Sequence, residues 1–267
     1  MPGDGGPATS ARLVFVNGLA ADSVGNLYIA DSGLNSIRKV DSNGIITTVA
    51  GNGVFGNTGD GGLASNAALA GPAFVATGPG GGLYIASVVD NRIRKVSNGV
   101  ITTIVGAGNP AGQALGNPLN LPTDIAVDLN GNIYIAEPLG NRVRKVSNGV
   151  ISVLAGTGTS GFSGDGGPAA SATLAAPSKL AVDVQGNVFI LDSGNARVRK
   201  VDTTGTITTV AGNGNFGDSG DNGPATSAGL GFAGFILSGA SEYSLPGGIA
   251  VDHADVLYIL TYVKVDS

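Results

Sequence analysis

The acid–base and ion-binding chemistry open to this 267-residue chain rests on carboxylates, because Cys is absent and His253 is the one His. Without Cys there are no disulfides and no thiolate metal sites, and a lone imidazole leaves little general-base chemistry. The first set of acids lies in Gly-rich strings. Gly-Asp-Gly-Gly at 59–62 and 164–167 carries Asp60 and Asp165, and the variant Gly-Asp-Asn-Gly at 220–223 carries Asp221. Asp218-Ser-Gly-Asp221 is the best local Ca²⁺ candidate, since hard cations prefer carboxylate and carbonyl oxygens. Ca²⁺ takes about six to eight ligands, and one carboxylate per loop falls short of that. These acids therefore read as turn residues bonded to nearby backbone amides, and no cofactor is expected.

A second set, Asp22, Asp128, Asp183 and Asp252, closes a short apolar run, with Gly78 in the matching place of one copy. Such residues could hold a metal or polarise a substrate, but they recur with a turn, as turn-capping residues do. A third set, Asp31, Glu137 and Asp192, ends the next apolar run. Arg38, Arg94, Arg144 and Arg199 sit at one fixed place per copy. They could form a basic recognition stripe. The structural alternative has their stems covering apolar surface while the heads pair with Asp31, Glu137 or Asp192. Gly-x-Gly-x-x-Gly occurs at 51–56, 156–161 and 212–217. A phosphate cradle needs a helix to follow, and none is signalled. There is no Gly-x-Ser-x-Gly and no Asn-x-Ser/Thr sequon. Catalytic groups have different roles and break a repeat's symmetry, whereas every acid here repeats, so no enzyme is expected.

The elements that carry these residues are repeats. Ile-Arg-Lys-Val at 37–40 returns at 93–96 and, with Val first, at 143–146 and 198–201, which spaces the arginines by 56, 50 and 55 residues. A degenerate fifth copy is Tyr-Val-Lys-Val at 262–265. Each unit carries four short β signals joined by Asn-Gly or Gly-Asn turns, in the third unit 125–128, 133–137, 142–146 and 150–153. No segment has a sustained helical period. Periods of about 40–50 residues with four strands predict an all-β propeller in one domain, 1–267. Blades fall at about 13–51, 69–107, 119–156, 174–212 and 245–267, four full and a partial fifth: a five-bladed ring or a fragment of a six-bladed one. The first strand of each blade is expected innermost and the Thr-rich fourth outermost.

Composition agrees with this reading. The chain is 42% hydrophobic and carries 46 Gly, only 12% charged residues and a net charge of −5. It lacks the basic field that nucleic acid requires and any apolar run of the length, about 18 residues, that spans a bilayer.

The strings Gly-Ile-Ala-Val-Asp (248–252), Gly-Asn-Leu-Tyr-Ile-Ala-Asp (25–31), Arg-Ile-Arg-Lys-Val (92–96), Ile-Thr-Thr-Val-Ala-Gly (207–212) and Gly-Asp-Gly-Gly-Pro-Ala (3–8) resemble bacterial-type NHL repeats. The pattern is similar to the NHL propeller of teneurin-type adhesion proteins. The resemblance implies a propeller, commonly of six blades, used mainly for binding. It also includes lactonases and lyases with metal ligands near the channel, which is the enzymatic alternative.

The expected function is an extracytoplasmic binding or adhesion scaffold for a protein or glycan, with no signal peptide preceding the first repeat. Long interblade loops at 51–64, 156–169 and 212–225 should gather on one rim with Asp31, Asp60, Glu137, Asp165, Asp192, Asp218 and Asp221. Such a rim suits a cationic or hydroxyl-rich partner. The alternative is a structural subunit of a larger assembly. It would use the open edge at 262–266, which also invites self-association, or the insertion at 229–243 with Phe232, Phe235, Ile236 and Leu237.

Overall fold

The computed structural model describes residues 1–106, 118–231, 247–252 and 254–261. Contacts group the chain into two compact units, one of Met1–Ile133 with Val146–Ile151 and one of Tyr134–Lys145 with Ser152–Ser267. Among the described residues there is no α-helix, only single 3₁₀ turns.

The chain folds as the four-stranded antiparallel blades of a β-propeller. Blade 1 is β1 (Val16–Ala21), β2 (Leu27–Asp31), β3 (Ser36–Val40) and β4 (Ile46–Ala50). Blade 2 is β5 (Pro72–Thr77), β6 (Leu83–Ser87), β7 (Arg92–Ser97) and β8 (Val100–Gly106). Blade 3 is β9 (Asp124–Val127), β10 (Ile133–Glu137), β11 (Arg142–Ser147) and β12 (Val150–Ala155). The short β13 (Gly167–Pro168) precedes blade 4, which is β14 (Pro177–Val182), β15 (Val188–Asp192), β16 (Arg197–Val201) and β17 (Thr206–Ala211). After a small ribbon of β18 (Asp218–Ser219) and β19 (Gly229–Leu230), blade 5 is described by β20 (Gly248–Val251) and β21 (Leu257–Leu260).

Strands follow sequence order across each blade, so the first and fourth are its edges. First strands of successive blades pack together, β1 with β5, β5 with β9, and β14 with β20. That is the innermost place expected of them. The second strands β6, β10 and β15 are buried at every position. Both of their faces are covered, which explains runs such as Leu-Tyr-Ile-Ala in place of clean alternation. The core of the first two blades shows how. Ala20, Tyr28, Ala30, Ile37 and Val49 meet Val75, Leu83, Ile85, Val96 and Ile101.

The turns follow from local chemistry. Asn98 and Asn148 have φ of 51° and 50°, and Gly99 and Gly149 follow at 76° and 75°, the paired left-handed residues of a two-residue hairpin. Gly51, Gly106, Gly156 and Gly212 close the fourth strands with φ of 87–107°. A Cβ on any of them would collide with the carbonyl oxygen of Asn35, Asn91, Asn141 or Ala196, so glycine is required there.

Candidate functional site

The long loops are not free. The chain segment that precedes blades 1, 2 and 4 runs along the outer edge of the blade that follows it. Gly5 N donates to Ile46 O and Ala8 N to Gly44 O. Gly61 N donates to Ile101 O and Ala64 N to Gly99 O, and Gly166 N to Ile207 O and Ala169 N to Gly205 O. This edge pairing satisfies the outer strand's backbone and blunts its capacity to recruit another chain.

A carboxylate locks each segment in place. The register slips by one residue at Arg38, Arg94 and Arg199, a bulge that re-aims the side chain. Arg94 then donates to Asp60 Oδ1 from Nε (3.0 Å) and Nη2 (2.5 Å), and to the carbonyls of Ala68 (2.9 Å) and Thr58 (3.1 Å). Thr103 N donates to the other oxygen of Asp60 at 3.0 Å. Arg199 repeats the arrangement with Asp165 (3.1 and 2.7 Å) and Ser163 O (3.0 Å), and Thr209 Oγ1 donates to Asp165 at 2.7 Å. Arg38 donates to Asp4 (2.7 Å) and Pro2 O (3.1 Å), and Thr48 Oγ1 to Asp4 (3.1 Å). The three arginines are buried while their acids stay half-exposed. Desolvation alone would raise the carboxyl of Asp60. The hydrogen bonds of Thr103 and Arg94 outweigh it and hold the group below the ordinary carboxylate range. Asp60 and Asp165 are therefore clasps between a loop and the next blade, where sequence alone had them bonding their own turn.

The acids at the ends of the second strands are also engaged. Asp31, Glu137 and Asp192 are fully buried, whereas the sequence reading set them out on the rim. Asp31 accepts from the amides of Val14 (3.0 Å), Phe15 (3.2 Å) and Leu34 (3.1 Å). Asp192 accepts from Ala175 N and Asn195 Nδ2, both at 2.7 Å, with Arg199 Nη1 at 3.4 Å. Burial pushes its pKa up to about 6. Glu137 accepts from Arg142 Nε at 2.6 Å, with Arg144 Nη1 at 3.8 Å. The expected pairing of the repeat arginines with these acids thus holds for Arg199 and Arg144, while Arg38 and Arg94 turn to the loop acids. Burial lowers the pKa of Arg144. The loop before blade 3, 107–117, lies outside the described residues.

Asp22, Asp128, Asp183 and Asp252 cap the first hairpin of their blades. Asp128 accepts from the amides of Asn130 (2.9 Å) and Asn132 (2.8 Å) and from Asn132 Nδ2 (2.6 Å), and Asp183 does the same with Gln185 and Asn187. In Asp22 and Asp252 the hydroxyls of Tyr28 (3.2 Å) and Tyr258 (3.0 Å) join in. At Gly78 the Tyr84 ring occupies the space a side chain would need.

Asp218 and Asp221 are exposed, Asp218 within β18. Among the described residues no group of three or more His, Asp or Glu side chains gathers as a metal would require. Phe232, Phe235, Ile236 and Leu237, most of the 229–243 insertion, the 262–266 edge and His253 lie outside the described residues.

Two features escaped the sequence reading. Each of the three long loops at 51–64, 156–169 and 212–225 carries a Phe. Phe55 and Phe216 face solvent, and Phe162 is partly covered by the guanidinium groups of Arg197 (3.9 Å) and Arg199 (4.8 Å). Its signal was the recurrence of Phe at the three Gly-x-Gly-x-x-Gly strings. Blade 2 also departs from its sisters. Ser87 replaces the buried acid and Asp90 stands where Asn195 stands in blade 4. Ser87 Oγ, both Asp90 oxygens and Arg92 Nε are buried without hydrogen-bond partners.

Clasped four-stranded blades, capped by an Asp at the first hairpin, define a repeat propeller whose loops are held by ion pairs. The family described as Teneurin NHL domain matches residues 1–58 and 157–228, and the chain is an NHL-repeat β-propeller. It is 51% identical to Teneurin-3 of Danio rerio over 49 residues, 18% of this chain and 2% of that protein. Among solved structures it resembles virginiamycin B lyase from Staphylococcus aureus, with 17% identity and a TM-score of 0.53 over 92% of this chain and 63% of that one. It also resembles an auxiliary nutrient binding protein from Bacteroides ovatus, with 16% identity and a TM-score of 0.62 over 93% of this chain and 57% of that one. The chain spans less than two thirds of either structure, and at such identities the likeness is one of fold. Among the described residues no helix is long and apolar enough to cross a membrane.

Proposed function

We propose that this chain is a non-enzymatic binding propeller, working outside the cytoplasm, that recognises a protein or glycan through its interblade loops. The observation that carries this reading is the combination of clasped loop and exposed aromatic. Asp60 fixes its loop to blade 2, and the same loop holds Phe55 out to solvent. A rigid loop loses little conformational freedom on binding, and aromatic side chains supply most of the energy at recognition surfaces. Similarity to a teneurin domain supports an adhesion-type role. With Asp31, Glu137 and Asp192 buried, the acids left for a cationic or hydroxyl-rich partner are Asp218 and Asp221, beside Phe216. The carboxylates that recur from blade to blade are occupied by backbone amides, Asn and Arg, which supports structure over turnover.

The test is binding of the purified chain to a glycan array and to a panel of cell-surface proteins. Phe55→Ser and Phe216→Ser should each weaken a hit about tenfold or more, with unfolding unchanged. Full binding by both variants would remove the loops from the reading. Turnover of a panel of lactones by the purified chain would remove its non-enzymatic part.

A further inference from the structure

The third strands of blades 2, 3 and 4 each open on an arginine, Arg92, Arg142 and Arg197. In two of the three an acid answers it. Arg92 Nε lies 3.9 Å from Asp90, and Arg142 Nε donates to Glu137 at 2.6 Å. In blade 4 both acids are lost to Arg197. Asn195 stands in the place of Asp90, and Asp192, the counterpart of Glu137, is taken by Ala175 N, Asn195 and Arg199. Among the described residues Arg197 makes no ion pair.

The Arg197 side chain is nevertheless fixed. Nη1 donates to Asn195 O at 3.0 Å and Nη2 to Asn213 O at 2.8 Å. The Phe162 ring lies 3.9 Å from the guanidinium carbon, and Gly214 sits so close that a Cβ there would collide with Nη1, Nη2 and Cζ. The loops 156–169 and 212–225 thus converge on one guanidinium, and all of these residues belong to the same compact unit. The carbonyls take one hydrogen on each Nη. The Nε hydrogen and the other hydrogen of each Nη remain, and the half-buried side chain keeps part of its surface open to solvent. A rigid guanidinium whose charge no acid balances, with fork donors to spare, matches a carboxylate.

We propose that Arg197 receives the carboxylate of an acidic sugar, a uronic or sialic acid residue of a glycan. The inference rests on loop recognition as the function of this protein and names the ligand feature that the blade 4 loops select. The rest of the 212–225 loop favours a sugar over an acidic peptide. Phe216 is 59% exposed, and Asp218 and Asp221 are exposed on the same loop. Those carboxylates accept hydrogen bonds from sugar hydroxyls, and a phenyl ring packs against the apolar C–H face of a sugar. A run of acidic residues would instead be repelled by both acids and by the net charge of −5. A single carboxylate among many hydroxyls suits the arginine and the acids together.

An array of paired glycans reads the proposal, with sialyl- and uronyl-terminated oligosaccharides each printed beside its methyl ester and its neutral parent. The acidic members should bind about 10- to 100-fold more tightly than their esters. Arg197→Met keeps an unbranched apolar stem against Phe162 and should erase that preference. Arg197→Lys should restore only part of it, because an ammonium lacks the planar fork. Circular dichroism and the urea midpoint check that both variants fold, and the comparison of acid with ester on the wild-type chain needs no variant. Esters bound as tightly as acids, or an acid preference that survives Arg197→Met, would overturn the inference and leave loop recognition standing. Capture of acidic peptides in place of acidic glycans would overturn it as well. An array and a protein panel on which nothing binds would remove both the inference and the recognition function beneath it.

Discussion

Replacing Asp60 with Asn keeps the side chain's shape and removes the charge that faces Arg94. Arg94 is buried, and it loses the negative charge behind its two hydrogen bonds to Asp60, 2.5 and 3.0 Å, while keeping the carbonyls of Ala68 and Thr58. Stranding a fully buried charge costs about 3–5 kcal/mol. Asp60 itself is 42% exposed, so water screens part of the pair and the two remaining carbonyls still serve the guanidinium. About 2–3 kcal/mol is the expected loss, a fall in Tm of roughly 4–12 °C for a domain of this size. Urea unfolding followed by circular dichroism measures it. Hydrogen exchange adds a local reading, because the Thr103 amide donates to Asp60 and should lose protection first. Arg94→Met in the Asp60→Asn background removes the stranded charge and should recover part of the loss. A single Asp60→Asn variant within about 0.5 kcal/mol of wild type would refute the claim that the clasp holds loop to blade.

Two further outcomes follow from the same geometry. Ser87→Asp combined with Asp90→Asn gives blade 2 the acid and amide that meet at 2.7 Å in blade 4, and should stabilise the chain by about 1 kcal/mol as a higher urea midpoint; no gain would mean that the unpartnered atoms of blade 2 are satisfied some other way. Asp192 has a folded pKa near 6 against an ordinary 3.8, so the folded state binds its proton more tightly. Its contribution is fully present below pH 3.8 and is lost as pH rises through 6. From pH 4 to pH 7 the stability of Asp192→Asn relative to wild type should therefore improve by roughly 2 kcal/mol, and parallel pH profiles would argue against a proton held there.

The fold was legible because every blade states it again. Short apolar runs, Asn-Gly turns and the recurring Asp at 22, 128, 183 and 252 gave strands, hairpins and caps, and the caps bond as Asp in a tight turn should. The acids were harder. Asp31, Glu137 and Asp192 close their strands beside turn residues, where charge usually faces water, and only the folded hairpin reveals the amides that bury them. The clasp joins residues 34 apart, Asp4 with Arg38, Asp60 with Arg94 and Asp165 with Arg199. That constant offset was present in the sequence, but it links a loop to the blade that follows, and a reading taken blade by blade pairs each Arg with the acid of its own hairpin. On the Thr-rich outer strands, Thr48, Thr103 and Thr209 also hold the clasp acid, a contact that again spans from a loop to the blade after it.

The direction of the clasp has a consequence for how the chain is made. Asp60 and Asp165 each come before the blade they fasten, and the partners that receive them, Arg and then Thr, follow within 44 residues. A growing chain emerging from the ribosome therefore carries each fastener ahead of its blade. When the fourth strand appears, its outer edge is closed by residues already synthesised, and no later segment is needed. Contacts of such short range are quick to form and leave few open strand edges waiting. A repeat protein of this design can mature one blade at a time from its N-terminus, with nascent edges shielded during the interval when aggregation competes with folding.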